Sequence, residues 1–418
     1  MKTLSCILTL LTGLLLVTST RADDGQGFLY GTVTLTDGTT HQGRLRFGEA
    51  EEAFWGHYFN SRKTGNAWAE LVPQEQLVEK RPVHILGLKL GERSMNLARP
   101  LMVRFGDIAT IEANGRDLTV TLKNNLVFNL DRFEADDFAD GLQLWDGHEQ
   151  HRFDEWKIRS IEFRPTPVLA EAPDRLHGTV FTAEGAFTGY IQWNREACLA
   201  TDTLDGHANK SKTSLRFDTI QSIEKRFGES SQVTRNDGST VVLSGTREAG
   251  ENNRGIYVDD PRFGRVLVSW GAFQRLDLNP APHSGPGYGD FPVAQELSGS
   301  VTLTDGRRLN GRLVFDLDEH LSVETLDAPS RGIHYTIPFG MIESIQQGGG
   351  DAGRDYVGVT LHSGESLNLE RRDDLGPGNA GMLVLGRNDE SPSYVSWSDI
   401  RQVSFDRPSA MFPPIVSR

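Results

Sequence analysis

The chain has 418 residues, more than one hydrophobic core supports, so length alone predicts roughly two to four domains. Its formal charge is −14, and 44 glycines stand against two cysteines. That balance opposes attraction to phosphate backbones and anionic membrane surfaces, and it excludes a disulfide-stapled scaffold.

Residues 1–22 read as an export signal: Lys2 is a basic start, Leu4 to Val17 is largely apolar, and Thr20-Arg21-Ala22 carries small residues around a cleavage point. The apolar stretch falls short of the about 20 residues a membrane span needs, and no later segment approaches that length. Cys6 lies inside the signal, so its removal leaves Cys198 as the one thiol and no intrachain disulfide is expected. Losing Lys2 and Arg21 takes the formal charge from −14 to −16. The mature chain, from about Asp23, is expected to be periplasmic or extracellular and to have no membrane span.

A strand, an Asp/Glu-Gly turn and a second strand then open three repeats: Gly31 to Gly38, Gly178 to Gly185 and Gly299 to Gly306. Each is followed by a glycine and an apolar-x-aromatic pair, at Gly43 to Phe47, Gly189 to Trp193 and Gly311 to Phe315. Self-similarity of this kind decides architecture first. The repeats are placed at 23–164, 174–279 and 292–406, with a Pro-rich tail at 407–418. Repeat 1 alone carries an insertion at 66–104, whose start, Asn66 to Val78, is the best helix candidate in a chain otherwise patterned as short strands.

An aromatic with apolar residues three and six positions later closes each half-repeat: Phe105/Ile108/Ile111, Phe217/Ile220/Ile223, Trp270/Phe273/Leu276, Phe339/Ile342/Ile345 and Trp397/Ile400/Val403. The remaining closure keeps Ile158 and Ile161 but moves its aromatic to Trp156. A spacing of three suits a strand end, one 3₁₀ turn and a new strand. The second halves hold hairpins over Leu118 to Leu130, Gln232 to Leu243 and Val357 to Leu369, with later strands near Leu142, Gly255 and Gly381. Pro/Gly-rich runs at Pro165 to Pro173 and Asn279 to Gly289 separate the repeats. The expected fold is all-β: three tandem repeats, each a pair of small barrels whose closure removes exposed edges.

In repeat 3, Val301-Thr-Leu-Thr-Asp-Gly306 followed by Gly311-Arg-Leu-Val-Phe-Asp316 resembles the first motif of the Sm-like small barrels. The resemblance implies an SH3/Sm-like fold and does not carry over RNA binding. Where that family places a base-contacting asparagine this chain has His320, and Ile345 is followed by Gln346-Gln347-Gly348 in place of an Ile-Arg-Gly triplet.

Several residues invite chemistry. His148 and His151, amid Asp146, Glu149 and Asp154, offer metal-type ligands, against the simpler reading of a solvated hairpin loop. Trp270 and Trp397 hold a repeated aromatic position and read as core. Trp55, within Phe54 to Phe59, and Trp68 could stack on a sugar or pack the insertion. Asp205-Gly206-His207 reads as a turn, and Cys198 as an inert thiol, no base being placed beside it. No residue is assigned a catalytic, cofactor or metal role. The chain reads as an exported, non-catalytic binding or scaffolding protein of a bacterial-type cell envelope. A protein or peptide partner, preferably basic, would be received through barrel grooves or loops. The alternative is an envelope-polymer hydrolase or a carbohydrate-binding protein using the repeat 1 insertion and the His148/His151 region.

Overall fold

The computed structural model describes residues 25–48, 50–72, 78–85, 88–94, 100–147, 149–169, 172–227, 229–280, 284–348, 355–386 and 391–409, with 78–85 and 88–94 described by backbone alone. The export signal at 1–22, His148 and the tail beyond Ser409 lie outside these residues. Helix among them is confined to short turns such as α1 (Asp136–Ala139) and the 3₁₀ turn Ala67–Leu71, and the fold is all-β. No described helix is long and apolar enough to cross a membrane.

The first repeat lays down β1 (Tyr30–Leu35), β2 (Thr40–Phe47), β3 (Tyr58–Arg62), β4 (Val78–Ile85), β5 (Leu88–Ser94) and β6 (Pro100–Arg104). It continues with β7 (Ile108–Asn114), β8 (Asp117–Leu122), β9 (Val127–Asp131), β10 (Leu142–Asp146), β11 (Glu149–Phe153) and β12 (Ile158–Phe163). The second contains β13 (His177–Thr182), β14 (Gly185–Gln192), β15 (Thr203–Ala208), β16 (Ser211–Arg216), β17 (Ile220–Arg226), β18 (Ser230–Arg235), β19 (Thr240–Ser244), β20 (Ile256–Asp260), β21 (Gly264–Val268) and β22 (Phe273–Asn279). The third contains β23 (Ser298–Leu303), β24 (Arg308–Val314), β25 (Thr325–Ser330), β26 (Ile333–Pro338), β27 (Ile342–Gln347), β28 (Tyr356–Leu361), β29 (Ser366–Glu370), β30 (Met382–Leu385), β31 (Ser393–Val395) and β32 (Ile400–Phe405).

One strand order recurs in all three segments: β11-β10-β2-β1-β12-β7-β8-β9, then β21-β20-β14-β13-β22-β17-β18-β19, then β31-β30-β24-β23-β32-β27-β28-β29. Within it the hairpin that opens a repeat is flanked on both sides by strands from the second half. In repeat 1, β10 pairs with β2, while β12 pairs with β1 on one side and β7 on the other. Among the described residues no sheet closes on itself, so separate barrels for each half are not what these sheets form. The glycines read as bends explain the interleaving. A Cβ on Gly43, Gly189 or Gly311 would lie 2.1, 2.0 or 2.1 Å from the carbonyl oxygen of Trp145, Asp259 or Leu385, each on or just beyond the crossing strand from the other half.

The closures are built as their spacing predicts. Single 3₁₀ turns span Phe105–Asp107, Glu155–Lys157, Phe217–Thr219, Phe339–Met341 and Trp397–Asp399, and at Trp270 a turn donates Phe273 N–H to Ser269 O at 2.9 Å. Five of the closure aromatics are buried in the cores, whereas Trp156 is 54% exposed. Burial of a large ring contributes about 1.5–3 kcal/mol, so these positions anchor each unit.

The repeats are tied to one another. Strand β26 of repeat 3 pairs with β21 of repeat 2, from Arg265↔Thr336 to Val268↔Ile333, giving a twelve-stranded sheet. The paired edges bury Val266, Val268 and Ile333, while the edge strand β16 carries Lys212 and Arg216, residues that discourage strand addition. Repeat 1's insertion is shorter than its expected 66–104, because β6 matches β16 and β26 in place and pairing. Its start is a 3₁₀ turn capped by Asn66, not the longer helix expected over Asn66 to Val78, and it lies on repeat 3. Asn66 Nδ2 donates to Leu317 O at 2.8 Å, and Trp68, Ala69 and Val72 pack with Val314, Leu317, Ala380 and Leu383. The second Pro/Gly-rich linker straps repeat 1: Tyr288 O–H donates to Ile108 O at 2.9 Å, and the Phe291 ring occupies the space a side chain on Gly106 would need.

Candidate functional site

Cys198 sits at the seam between repeats 1 and 2. Its Sγ lies 3.2 Å from Glu52 Oε1 and 3.4 Å from Ala50 O, and Glu52 also binds Arg44 at 2.6 Å. Burial, reinforced by the charge of Glu52, pushes the thiol well above its usual pKa, so it is held as a neutral SH group. His57 is buried nearby and accepts the backbone N–H groups of Glu52 and Ala53 on Nδ1 at 2.8 and 3.2 Å. Burial, followed by the charges of Arg175, Arg265 and Arg46, holds its pKa well below the usual histidine value.

Trp55 is 5% exposed, and Trp68 is half-buried with its ring centroid 5.1 Å from that of His320. Trp270 and Trp397 are core residues. His151 lies on β11 with its ring 4.8 Å from His41 and stacked parallel to Phe153. Among the described residues no three His, Cys, Asp or Glu side chains are arranged to hold a metal ion.

Asp205-Gly206-His207 is not a turn. It runs through β15, paired to β16, and glycine is required there because a Cβ on Gly206 would lie 2.8 Å from Leu243 Cβ. The turn falls instead at Asn209 and Lys210, which carry φ values of 49° and 68°.

Two features were not singled out from the sequence. The first is an aromatic patch on repeat 1. Phe133 and Trp156 are 55% and 54% exposed with ring centroids 5.5 Å apart. The Arg132 guanidinium lies 4.6 Å from the Trp156 ring and 5.3 Å from Phe138, and Arg116 lies 5.6 Å from Phe133. The signal for it was the shifted aromatic of that closure: Ile158 and Ile161 stay in the core, so a ring two positions before Ile158 is carried out of it.

The second is an acidic recess between repeats 1 and 3. Glu319, Glu324, Asp327 and Asp374 line a cavity of about 70 Å³ together with Pro100, Leu101 and Met102 of β6. Lys63 enters from repeat 1 and binds Glu324 at 2.8 Å and Asp318 at 3.0 Å. Burial opposes the ammonium, but the two carboxylates overturn that and hold Lys63 above its usual pKa. Burial likewise opposes the Glu324 carboxylate, and Lys63 outweighs it, so Glu324 stays below its ordinary value. Glu319 and Asp374 are pushed well above theirs, first by burial and then by neighbouring carboxylates. The acid run Asp316 to Glu319 was visible in the sequence. Asp374 joins it only through the fold.

No family model, no curated protein and no solved structure gives a significant match to the chain.

Proposed function

We propose that the chain is an exported, non-catalytic binding or scaffolding protein of a bacterial-type cell envelope that recognises a protein or peptide partner, with the face around Phe133 and Trp156 as its contact surface. The finer reading of its architecture is that each repeat is a pair of SH3/Sm-like barrels whose halves have traded strands.

The observation that carries the proposal is the adjacent pair of rings, each more than half exposed, on a chain whose other closure aromatics are buried. Exposed aromatic patches rimmed by charge are where partners dock, and Trp and Arg are the residue types that dominate such contacts. Arg116 is exposed beside Phe133 and supplies charge at the rim, while Arg132 lies buried beneath the Trp156 ring.

The test is affinity capture from an envelope extract with the full chain and its Phe133→Ser/Trp156→Ser variant side by side. One specific protein recovered by the first and lost by the second, with both equally folded, is the expected result. Equal recovery by both, or recovery by neither, overturns the proposal.

A further inference from the structure

We infer that the acidic recess between repeats 1 and 3 is a socket for a guanidinium group, presented by an arginine side chain of a peptide. This goes beyond the aromatic patch and concerns a different face of contact.

Four carboxyl groups converge on the recess, and Lys63 of repeat 1 binds one of them, Glu324, together with the neighbouring Asp318. Glu324 is saturated: Oε1 takes Lys63, and Oε2 takes the backbone N–H groups of His320 and Leu321 at 2.8 and 3.0 Å. Asp327 accepts from Thr336 Oγ1 at 2.5 Å, and Asp374 accepts the Asp327 N–H at 2.6 Å. Glu319 differs. It is 9% exposed, and its Oε2 has no hydrogen-bond donor among the described residues. A buried carboxyl oxygen without a donor costs about 1–3 kcal/mol or more, so it marks a place where a donor from outside would be gained in full.

The chemistry of that donor follows from the lining. Among the described residues no lysine or arginine pairs with Glu319, Asp327 or Asp374, so the guest is cationic. The carboxylates are not grouped to hold a metal ion, which favours a guest whose donors are spread in space. Guanidinium carries five N–H donors in a planar fork and is weakly hydrated, which suits dispersed, partly buried acceptors better than the compact ammonium of lysine. About 70 Å³ is several times the space one water needs and fits a single head group. Pro100, Leu101 and Met102 line the same recess and offer apolar cover to an aliphatic stem. The raised pKa of Glu319 and Asp374 is the same fact seen from the protein's side: a proton holds the place a cation would take.

The experiment titrates the full chain with fluorescein-labelled Gly/Ser peptides that differ at one central residue: arginine, lysine or the neutral isostere citrulline. The arginine peptide binds most tightly, and citrulline abolishes binding. Glu319→Gln and Asp374→Asn each weaken the arginine peptide by about tenfold, whereas Glu184→Gln, which breaks the ion pair of repeat 2 Glu184 with repeat 3 Arg331, leaves it unchanged. Because Glu319→Gln replaces a group already disposed to be protonated, folding should be retained. Met102→Trp, which puts a bulkier side chain on the lining of the recess without altering charge, gives a second route to the same loss. Equal binding of arginine and citrulline peptides, or wild-type affinity in both Glu319→Gln and Met102→Trp, overturns the inference. So does binding of calcium in place of the peptide.

Discussion

His57 in the first repeat does the work that Asp202 does in the second. Each accepts two consecutive backbone N–H groups from the turn that follows the second strand: Glu52 and Ala53 for His57, Cys198 and Leu199 for Asp202. In the third repeat Glu324 takes His320 and Leu321 in the same way. A carboxylate serves by charge, whereas imidazole serves only with Nδ1 unprotonated, so repeat 1 depends on a neutral histidine at a buried place. His57→Ala, which strands both donors, should cost about 1–3 kcal/mol in urea unfolding, and His57→Asn should recover part of it. The sign with pH follows from the depressed pKa. The folded state binds fewer protons at His57 than the unfolded state does, so its contribution is complete above the unfolded value of 6.5 and drains away as pH falls below it.

Glu51 works in the opposite direction. Burial, then the neighbouring Asp137, raises its pKa from 4.5 to about 7. The folded state therefore holds a proton that the unfolded chain releases, and this contribution is complete below pH 4.5 and lost as pH rises through about 7. Thermal melts of wild type and Glu51→Gln across that window should diverge, with the variant gaining relative stability as pH rises. Parallel curves would show that Glu51 titrates alike in both states.

Lys63 is a cation that repeat 1 places among the acids of repeat 3 at Asp318 and Glu324. Lys63→Met removes it and takes the ammonium away from two buried carboxylates, a change that costs about 3–5 kcal/mol when one partner of a buried pair is deleted. Hydrogen exchange should show the loss at the Asn66 to Val72 clasp and the Phe315 to Glu324 turn before it reaches the β21–β26 ladder.

Cys198 should react slowly with a thiol reagent in the native protein and rapidly once unfolded, because the nucleophile is the thiolate and burial beside Glu52 disfavours it. Native labelling at the rate of a free peptide thiol would contradict the seam described here.

Local features were the legible part of this chain. The aromatic-x-x-apolar-x-x-apolar spacing predicted the 3₁₀ turn and the strand after it because both ends of that element are set by residues three apart. Hairpins around Asp37-Gly38 and Asp305-Gly306 were readable from their turn chemistry. The exchange of strands between halves was not, since alternation shows that β10 is half-buried but not that its neighbour is β2. Asp205-Gly206 misled for a related reason: the glycine answers a close approach from Leu243, while the actual turn uses Asn209 and Lys210. The recess is harder still, because Glu319 and Asp374 meet through two separate loops and neither segment is unusual alone.

The exchange of strands also sets the order in which this protein can form. Gly31 pairs with Phe163, so the opening hairpin has one of its two neighbours 132 positions downstream. Contacts of such sequence separation slow folding, because chain closure must precede the reward. During synthesis β1 and β2 wait, edges uncovered, until nearly a whole repeat has emerged. A truncation at mid-repeat would therefore leave aggregation-prone hairpins, and a cut between repeats is the place where fragments stand the best chance of folding.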